Sequence, residues 1–91
     1  MKKEKAKEML REIAYYGKID TTEHCRKRMR ERNVSEEDIV KVLMQGTVND
    51  MQKIDSDKWR LAVIGEDVEE EELTCIVILI AMTNSLCITV F

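Results

Sequence analysis

Residues 1–46 carry their apolar side chains at the three-and-four spacing of amphipathic helices. The first stretch, residues 2–16, has an apolar stripe that consists of Ala6, Met9, Leu10 and Ile13. Gly17 follows it, and glycine adopts the left-handed conformation that ends many helices without steric cost. The pattern therefore predicts one amphipathic helix at the start of the chain.

Two shorter helices are predicted next. A threonine at position 21 or 22 is suited to cap the first of them, which runs to about residue 32. Asn33 follows and can end that helix in the left-handed conformation. Ser35 and Asp38 form the S-x-x-D pattern of a capping box at the start of the next helix, and Gly46 is expected to end it. The two helices should form a helical hairpin.

From residue 48 onward the period of the apolar pattern falls to two, which predicts strands. The predicted strands are residues 48–54, 59–64, 73–82 and 86–91, with turns at 55–57 and 83–85 and an acidic loop at 65–72. The 73–82 segment is nearly all apolar, so it should be buried on both faces. Short connections predict a four-stranded antiparallel meander. Helices followed by strands predict an α+β domain with the helices on one sheet face.

Alternation along the strands predicts which side chains face the helices. If Trp59, Leu61 and Val63 point toward them, Arg60 points the other way. In the last strand we expect Leu86, Ile88 and Val90 to face the core, with Cys87 and Thr89 facing away. Arg60 and Thr89 would then share an open sheet face. There they could contact phosphate, or they could have a structural role only.

The length, apolar content, cysteines and charge distribution of the chain limit the class of protein to which it can belong. Ninety-one residues fit a single domain. No apolar run reaches the roughly 20 residues of a membrane helix, so no membrane association is expected and the cytoplasm is the default location. Three dispersed cysteines, Cys25, Cys75 and Cys87, argue against disulfides and a zinc site, and are expected in the core. The first sixty residues carry 15 basic and 12 acidic groups, whereas the last thirty-one carry 6 acidic groups and no basic ones.

The second predicted helix holds the candidate chemistry. His24 is the single histidine, Arg28 lies one turn later on the same face, and Arg32 lies a further turn on. An imidazole beside guanidinium groups could supply proton transfer and anion stabilisation to a phosphodiester. Arg60 and Thr89 are the remaining candidates, from the sheet. The other interpretations are a histidine that packs or caps and a charged helix face that is only solvated.

The segment T-T-E-H-C-R-K-R-M-R-E-R-N-V-S-E-E-D-I resembles a family of unknown function, the domain-of-unknown-function 4258 family. Its members carry H-x-x-x-R-M-x-x-R before a third helix, and the closing T-N-S-L-C-I-T-V-F is similar to their last strand. The resemblance implies a core over residues 18–91 with a short first strand at 18–20, and an added helix over 1–17. It also implies a relation to RelE-like and BrnT-like toxins. On this basis His24, Arg28 and Arg32 are the motif residues, with Thr89 in the last strand.

The sequence thus predicts a toxin-like RNA-binding domain of a toxin–antitoxin system, with metal-independent endoribonuclease activity as its candidate chemistry. No cofactor or metal is expected. The expected partners are RNA and an antitoxin or other protein, and the choice between monomer and homodimer stays open. The alternative is a non-catalytic protein-interaction or homodimerisation domain. Six methionines and few aromatic residues would suit such an adaptable protein contact.

Overall fold

The computed structural model describes residues 1–17, 19–80 and 84–91. Its three helices are α1 (Lys3–Tyr15), α2 (Glu23–Arg32) and α3 (Glu36–Gln45). Its five strands are β1 (Ile19–Thr21), β2 (Thr47–Asp55), β3 (Lys58–Glu66), β4 (Glu72–Ile80) and β5 (Asn84–Val90). The predicted α+β order of elements is confirmed. The predicted turn at 83–85 and the end of the 73–82 strand lie partly outside the described residues, and positions 84 and 85 belong to β5.

Local side-chain chemistry ends the helices where the sequence indicated. Thr22 caps α2 by accepting a hydrogen bond from the backbone N–H of Cys25, and Asn33 ends it in the left-handed conformation at φ 56°. Ser35 and Asp38 form the predicted capping box of α3. Gly17, with φ 67°, follows α1 as expected. These features are decided by groups within a few residues of one another.

The sheet is mixed and has five strands, in the order β1-β5-β4-β3-β2. β2 to β5 form the predicted antiparallel meander. The short strand that the family resemblance implied at residues 18–20 is present as β1, at Ile19–Thr21. Its parallel pairing with β5 corrects the prediction of a four-stranded antiparallel sheet. Strand β1 is only three residues long and pairs with a segment more than sixty residues away, so no periodicity in the sequence could reveal it.

The core lies between the three helices and one face of the sheet. Strands β3 and β4 contribute Leu61, Val63, Cys75, Val77 and Leu79, all essentially buried. Leu61 and Val63 face the helices as predicted, and Trp59 packs against the same cluster. The added helix α1 contributes the fully buried Leu10 and Ile13, so it belongs to this core.

The predicted orientation of the last strand is wrong for most of its length. Cys87 is fully buried, whereas Leu86 and Ile88 are half-exposed on the other face. The register between β4 and β5 shifts near Ile88, because Val77 pairs with Cys87 but Ile76 pairs with Thr89. This bulge inserts one extra residue and so returns Val90 to the core, where it was expected.

The outer face of the sheet leaves several apolar side chains half-exposed among polar ones such as Arg60 and Thr89. Strand β4 is therefore not buried on both faces as predicted, because Ile78 and Ile80 remain half-exposed, although Ile76 is buried. In the described ranges 1–17, 19–80 and 84–91, no helix is long and apolar enough to cross a membrane.

Gly46 is required by a close approach between α3 and β3. A Cβ atom at this position would lie 2.5 Å from the carbonyl oxygen of Val42 and 2.8 Å from that of Ile64. We expect Gly46→Ala to lower the free energy of unfolding by about 1–3 kcal/mol, because backbone atoms must move apart. Urea denaturation measures this loss. The exposed neighbour Gln45→Ala is the control, at within about 0.5 kcal/mol; equal stabilities would contradict the assignment.

Candidate nucleic-acid interface

Helix α2 is attached to the edge of the sheet at its first turn. The backbone N–H of Thr22 donates to the carbonyl oxygen of Cys87 at 3.2 Å, which extends the β1–β5 pairing by one residue. The hydroxyl of Thr22 lies 3.4 Å from the carbonyl oxygen of Ile88 while it caps the helix. The start of α2 is therefore held by the backbone of β5.

Three thiols that are far apart in sequence meet under α2. The Sγ atoms of Cys25 and Cys87 are 3.4 Å apart, and Cys75 lies beside Cys87. All three side chains are fully buried. This agrees with the expectation that the cysteines lie in the core, although strand alternation had placed Cys87 on the other face. Burial and the neighbouring Cys87 thiol raise the pKa of Cys25 to about 12. The hydrogen bond with Cys75, followed by burial, raises the pKa of Cys87. Cys25 and Cys87 are therefore protonated thiols, and their contact fastens α2 to the sheet.

Cys25 is the only fully buried side chain of α2, and Met29 is partly buried. The helix therefore leaves its charged groups at the surface. Five cations follow Cys25 in this helix: Arg26, Lys27, Arg28, Arg30 and Arg32. Arg28 is half-buried, and the other four are exposed. The described residues contain one ion pair, between Arg28 and Glu31 at 4.0 Å.

One flank of α2 carries most of the predicted motif. His24 is exposed, and it is the N-cap Thr22, not His24, that caps the helix. On a regular helix Lys27, His24 and Arg28 lie within an arc of roughly 100°. We call these three residues the motif face. A flexible, partly exposed pair such as Arg28–Glu31 is weak, so Arg28 can exchange Glu31 for another anion.

Arg32 lies in a different electrostatic setting from His24 and Arg28. It is exposed but lines a pocket together with Asn33, Asp38, Asp67, Val68, Glu69 and Glu71. Four carboxylates around this pocket offset its charge. Of the three predicted motif residues, Arg32 is therefore the least suited to a phosphate.

Arg60 and Thr89 do share one sheet face, as predicted. Arg60 alternates with the buried Leu61, and Thr89 pairs with Ile76, which pairs in turn with Ala62. This face is opposite the one that the helices cover. No described hydrogen bond or ion pair links His24 to Arg60 or Thr89, and neither described pocket is lined by them. The five predicted site residues thus form two groups.

The sequence did not single out the groove on the other flank of α2. It has a volume of about 390 Å³ and is lined by Arg26, Met29, Arg30, Asn33, Val34 and Ser35. Met29 and Val34 form an apolar floor that packs on the core. The guanidinium group of Arg26 is held by the carbonyl and hydroxyl oxygens of Thr21. The spacing of Arg26, Met29 and Arg30 on one helical side was a signal that could have revealed this groove.

Asp38 connects the helical hairpin to an acidic loop, defined as residues 67–71. Its carboxylate accepts hydrogen bonds from the backbone N–H groups of Ser35 at 2.8 Å and Val68 at 2.9 Å. Lys41 donates to the carbonyl oxygen of Asp67 at 2.7 Å. Burial alone would raise the pKa of Asp38, but the hydrogen bonds from Val68 and Ser35 outweigh it and lower this pKa. The carboxylate is thus ionised and structural.

In the part of the chain that the structure describes, no group of three or more His, Cys, Asp and Glu side chains could hold a metal ion. The thiol cluster is enclosed, the carboxylate of Asp67 accepts backbone N–H groups, and Glu69 and Glu71 line the pocket with Arg32. The chemistry available at α2 is that of an exposed imidazole and several cations.

A family model for a domain of unknown function, DUF4258, matches residues 21–91. This chain belongs to the DUF4258 family. The match starts within β1 and includes the helical hairpin and the remaining strands, so α1 precedes the matched part of this DUF4258 domain. Comparison with curated proteins and with solved structures found no match.

The role of Asp38 generates a pH-dependent prediction. We expect Asp38→Asn to lower the free energy of unfolding by about 1–3 kcal/mol at neutral pH, because an amide cannot accept all the hydrogen bonds of the carboxylate. The pKa of Asp38 is lowered on folding, so its contribution is present above the unfolded value of about 4 and is lost as pH falls through the folded value. Denaturation of both proteins across acidic pH measures this.

The wild-type protein and the variant should therefore converge in stability as the solution becomes acidic. Glu37→Gln is the matched control, since Glu37 is exposed in the same helical turn. A stability difference that stays constant from neutral to strongly acidic pH would contradict the assignment.

Proposed function

We propose that this DUF4258 domain binds RNA through the motif face of α2. The observation that carries the proposal is that α2 buries one side chain fully and leaves its cations and His24 at the surface. Cations grouped on one helix are what phosphate contact requires, even where the whole protein is mildly acidic.

The rigid attachment of α2 supports this use. Thr22 and Cys25 hold the helix on β5, so Lys27 and Arg28 project from a fixed scaffold. Cations that are already positioned lose less conformational freedom when they bind a phosphate chain. His24, Lys27 and Arg28 do not line the pocket of carboxylates around Arg32, and the described acidic partner of the motif face is Glu31.

The proposal extends to a relation with RelE-like toxins and to RNA cleavage without a metal. In that reaction His24 removes the proton of a 2′-hydroxyl group, whose oxygen attacks the adjacent phosphorus. The bond to the 5′-oxygen breaks, and solvent protonates the leaving oxygen. Arg28, one turn from His24, would stabilise the added negative charge. Arg60 and Thr89 lie on the opposite face of the sheet and take no part in this step.

The alternative is a non-catalytic protein-interaction domain. The observation that favours it is the outer sheet face, where the paired Ile78 and Leu86 are half-exposed and Ile80 and Ile88 are half-exposed near them. Apolar patches of this kind mark protein contacts in many soluble proteins. A partner on that face would leave the motif face free. A measurement of RNA binding by the motif face therefore distinguishes the RNA-binding function from the protein-interaction function.

The RNA proposal predicts salt-dependent binding that requires the motif face. Wild-type protein should bind single-stranded RNA at low salt, with affinity that falls as salt rises, because each phosphate contact releases counterions. Lys27→Ala/Arg28→Ala should weaken binding by about tenfold or more and reduce the salt slope by about 2. Fluorescence anisotropy over a range of salt concentrations measures both quantities.

Lys2→Ala/Lys5→Ala is the matched control, because it removes the same charge from exposed positions at the start of α1. The control should bind RNA nearly as well as the wild type. Binding that is absent at low salt, or equally weak in both double variants, would contradict the proposal and favour the protein-interaction alternative.

The cleavage step makes a separate prediction for His24. Purified protein should cleave RNA in the presence of a metal chelator, leaving 2′,3′-cyclic phosphate ends. His24→Ala should slow cleavage by about 100-fold or more and leave RNA affinity nearly unchanged, because it removes the proton acceptor and not a phosphate contact. Gel analysis of end-labelled RNA measures the rate. Cleavage that persists in His24→Ala would exclude this mechanism.

A further inference from the structure

The groove beside α2 has two properties that identify its occupant. Arg26 and Arg30 make its rim cationic, while Met29 and Val34 make its floor apolar. Both arginines are exposed, and the described ion pair of α2 involves neither of them. The groove therefore suits a segment that presents carboxylates next to one small apolar side chain.

The acidic loop of the same chain has this composition. Val68 is 50% exposed at its surface and is followed by Glu69 and Glu70. Asp67 holds the loop in shape, because its carboxylate accepts the N–H groups of Glu69 and Glu71, each at 2.9 Å. Glu70 has a left-handed backbone at φ 66°. The loop thus projects glutamates in a fixed arrangement despite their mutual repulsion.

The groove and the loop are neighbours on the surface. Asn33 lines the groove and also lines the pocket that contains Val68 and Glu69. A two-fold axis through the surface near Asn33 would place the loop of each subunit against the groove of the other. In such a pairing every contact is made twice, and the interface closes on itself.

We infer that this chain forms a homodimer in which the acidic loop of each copy docks into the groove of the other. Val68 lies on Met29 and Val34, and Glu69 and Glu70 face Arg26 and Arg30 of the partner copy. A second copy is the occupant because the chain itself supplies both complementary surfaces, side by side. The inference is independent of RNA binding.

The first experiment is sedimentation equilibrium of the full chain over a range of concentrations, at low and high salt. We expect a reversible monomer–dimer equilibrium whose association weakens as salt rises, because charge pairs across an interface are screened. A protein that is monomeric throughout at low salt would overturn the inference.

Two charge-reversal variants test the two surfaces. Arg26→Glu/Arg30→Glu makes the groove acidic, and Glu69→Lys/Glu70→Lys makes the loop basic. Each variant alone should dissociate at least about 100-fold more readily than the wild type, because like charges then face each other at both contacts. An equimolar mixture should form a heterodimer, since each reversed surface meets its reversed complement.

Dimer formation on mixing the two charge-reversal variants distinguishes this interface from other dimer interfaces. Lys2→Glu/Lys5→Glu, which changes the same charge on α1, should dimerise like the wild type, and circular dichroism checks that all variants are folded. If both charge-reversal variants dimerise as tightly as the wild type, the dimer forms through another surface, for example the outer sheet face. That result would overturn the inference. Two monomeric variants that fail to associate on mixing would also overturn it.

Discussion

The parallel pairing of β1 with β5 determines where α2 begins and where its exposed His24 and cations lie. Three residues, Ile19–Thr21, pair with the last strand, and Thr22 extends that pairing before it caps α2. Because the helix starts at the sheet edge, Cys25 is placed directly on Cys87. Without this contact between the two ends of the fold, α2 would have little to hold it, since it buries almost nothing else.

A helix that buries so little must leave its charged side chains in water. Exposed cations are therefore found on both flanks of α2. Toward one side, His24 and Arg28 are at the surface, where Arg28 is paired with Glu31. Toward the other, Arg30 borders an apolar groove. The carboxylates lie at the end of the helix around Arg32 and are ordered by Asp38, a buried charge stabilised by several donors. Positive and negative surfaces therefore adjoin without cancelling.

The two flanks can serve different partners. The motif face has the character of a phosphate contact, with an imidazole beside cations. The groove combines cations with Met29 and Val34, which suits a protein segment better than a flexible polyanion. Because both are built on one helix, occupation of the groove would change the field at the motif face without covering His24. The outer sheet face, with Arg60 and Thr89, is a third and separate surface.

The sequence by itself determined the features that depend on nearby residues. The cap at Ser35, the left-handed Asn33, the order of the helices and of strands β2 to β5 and the exposure of the α2 cations follow from short-range hydrogen bonds and from apolar spacing. The sequence limited the cap of α2 to Thr21 or Thr22, and the structure decided for Thr22. The tertiary structure alone decided that β1 joins the sheet, that a bulge near Ile88 turns Cys87 inward, that the three thiols meet and that Arg32 lies among carboxylates. It also separated Arg60 and Thr89 from His24. These outcomes depend on strand register and on contacts between distant segments, and one inserted residue in a strand reverses which side chains face the core.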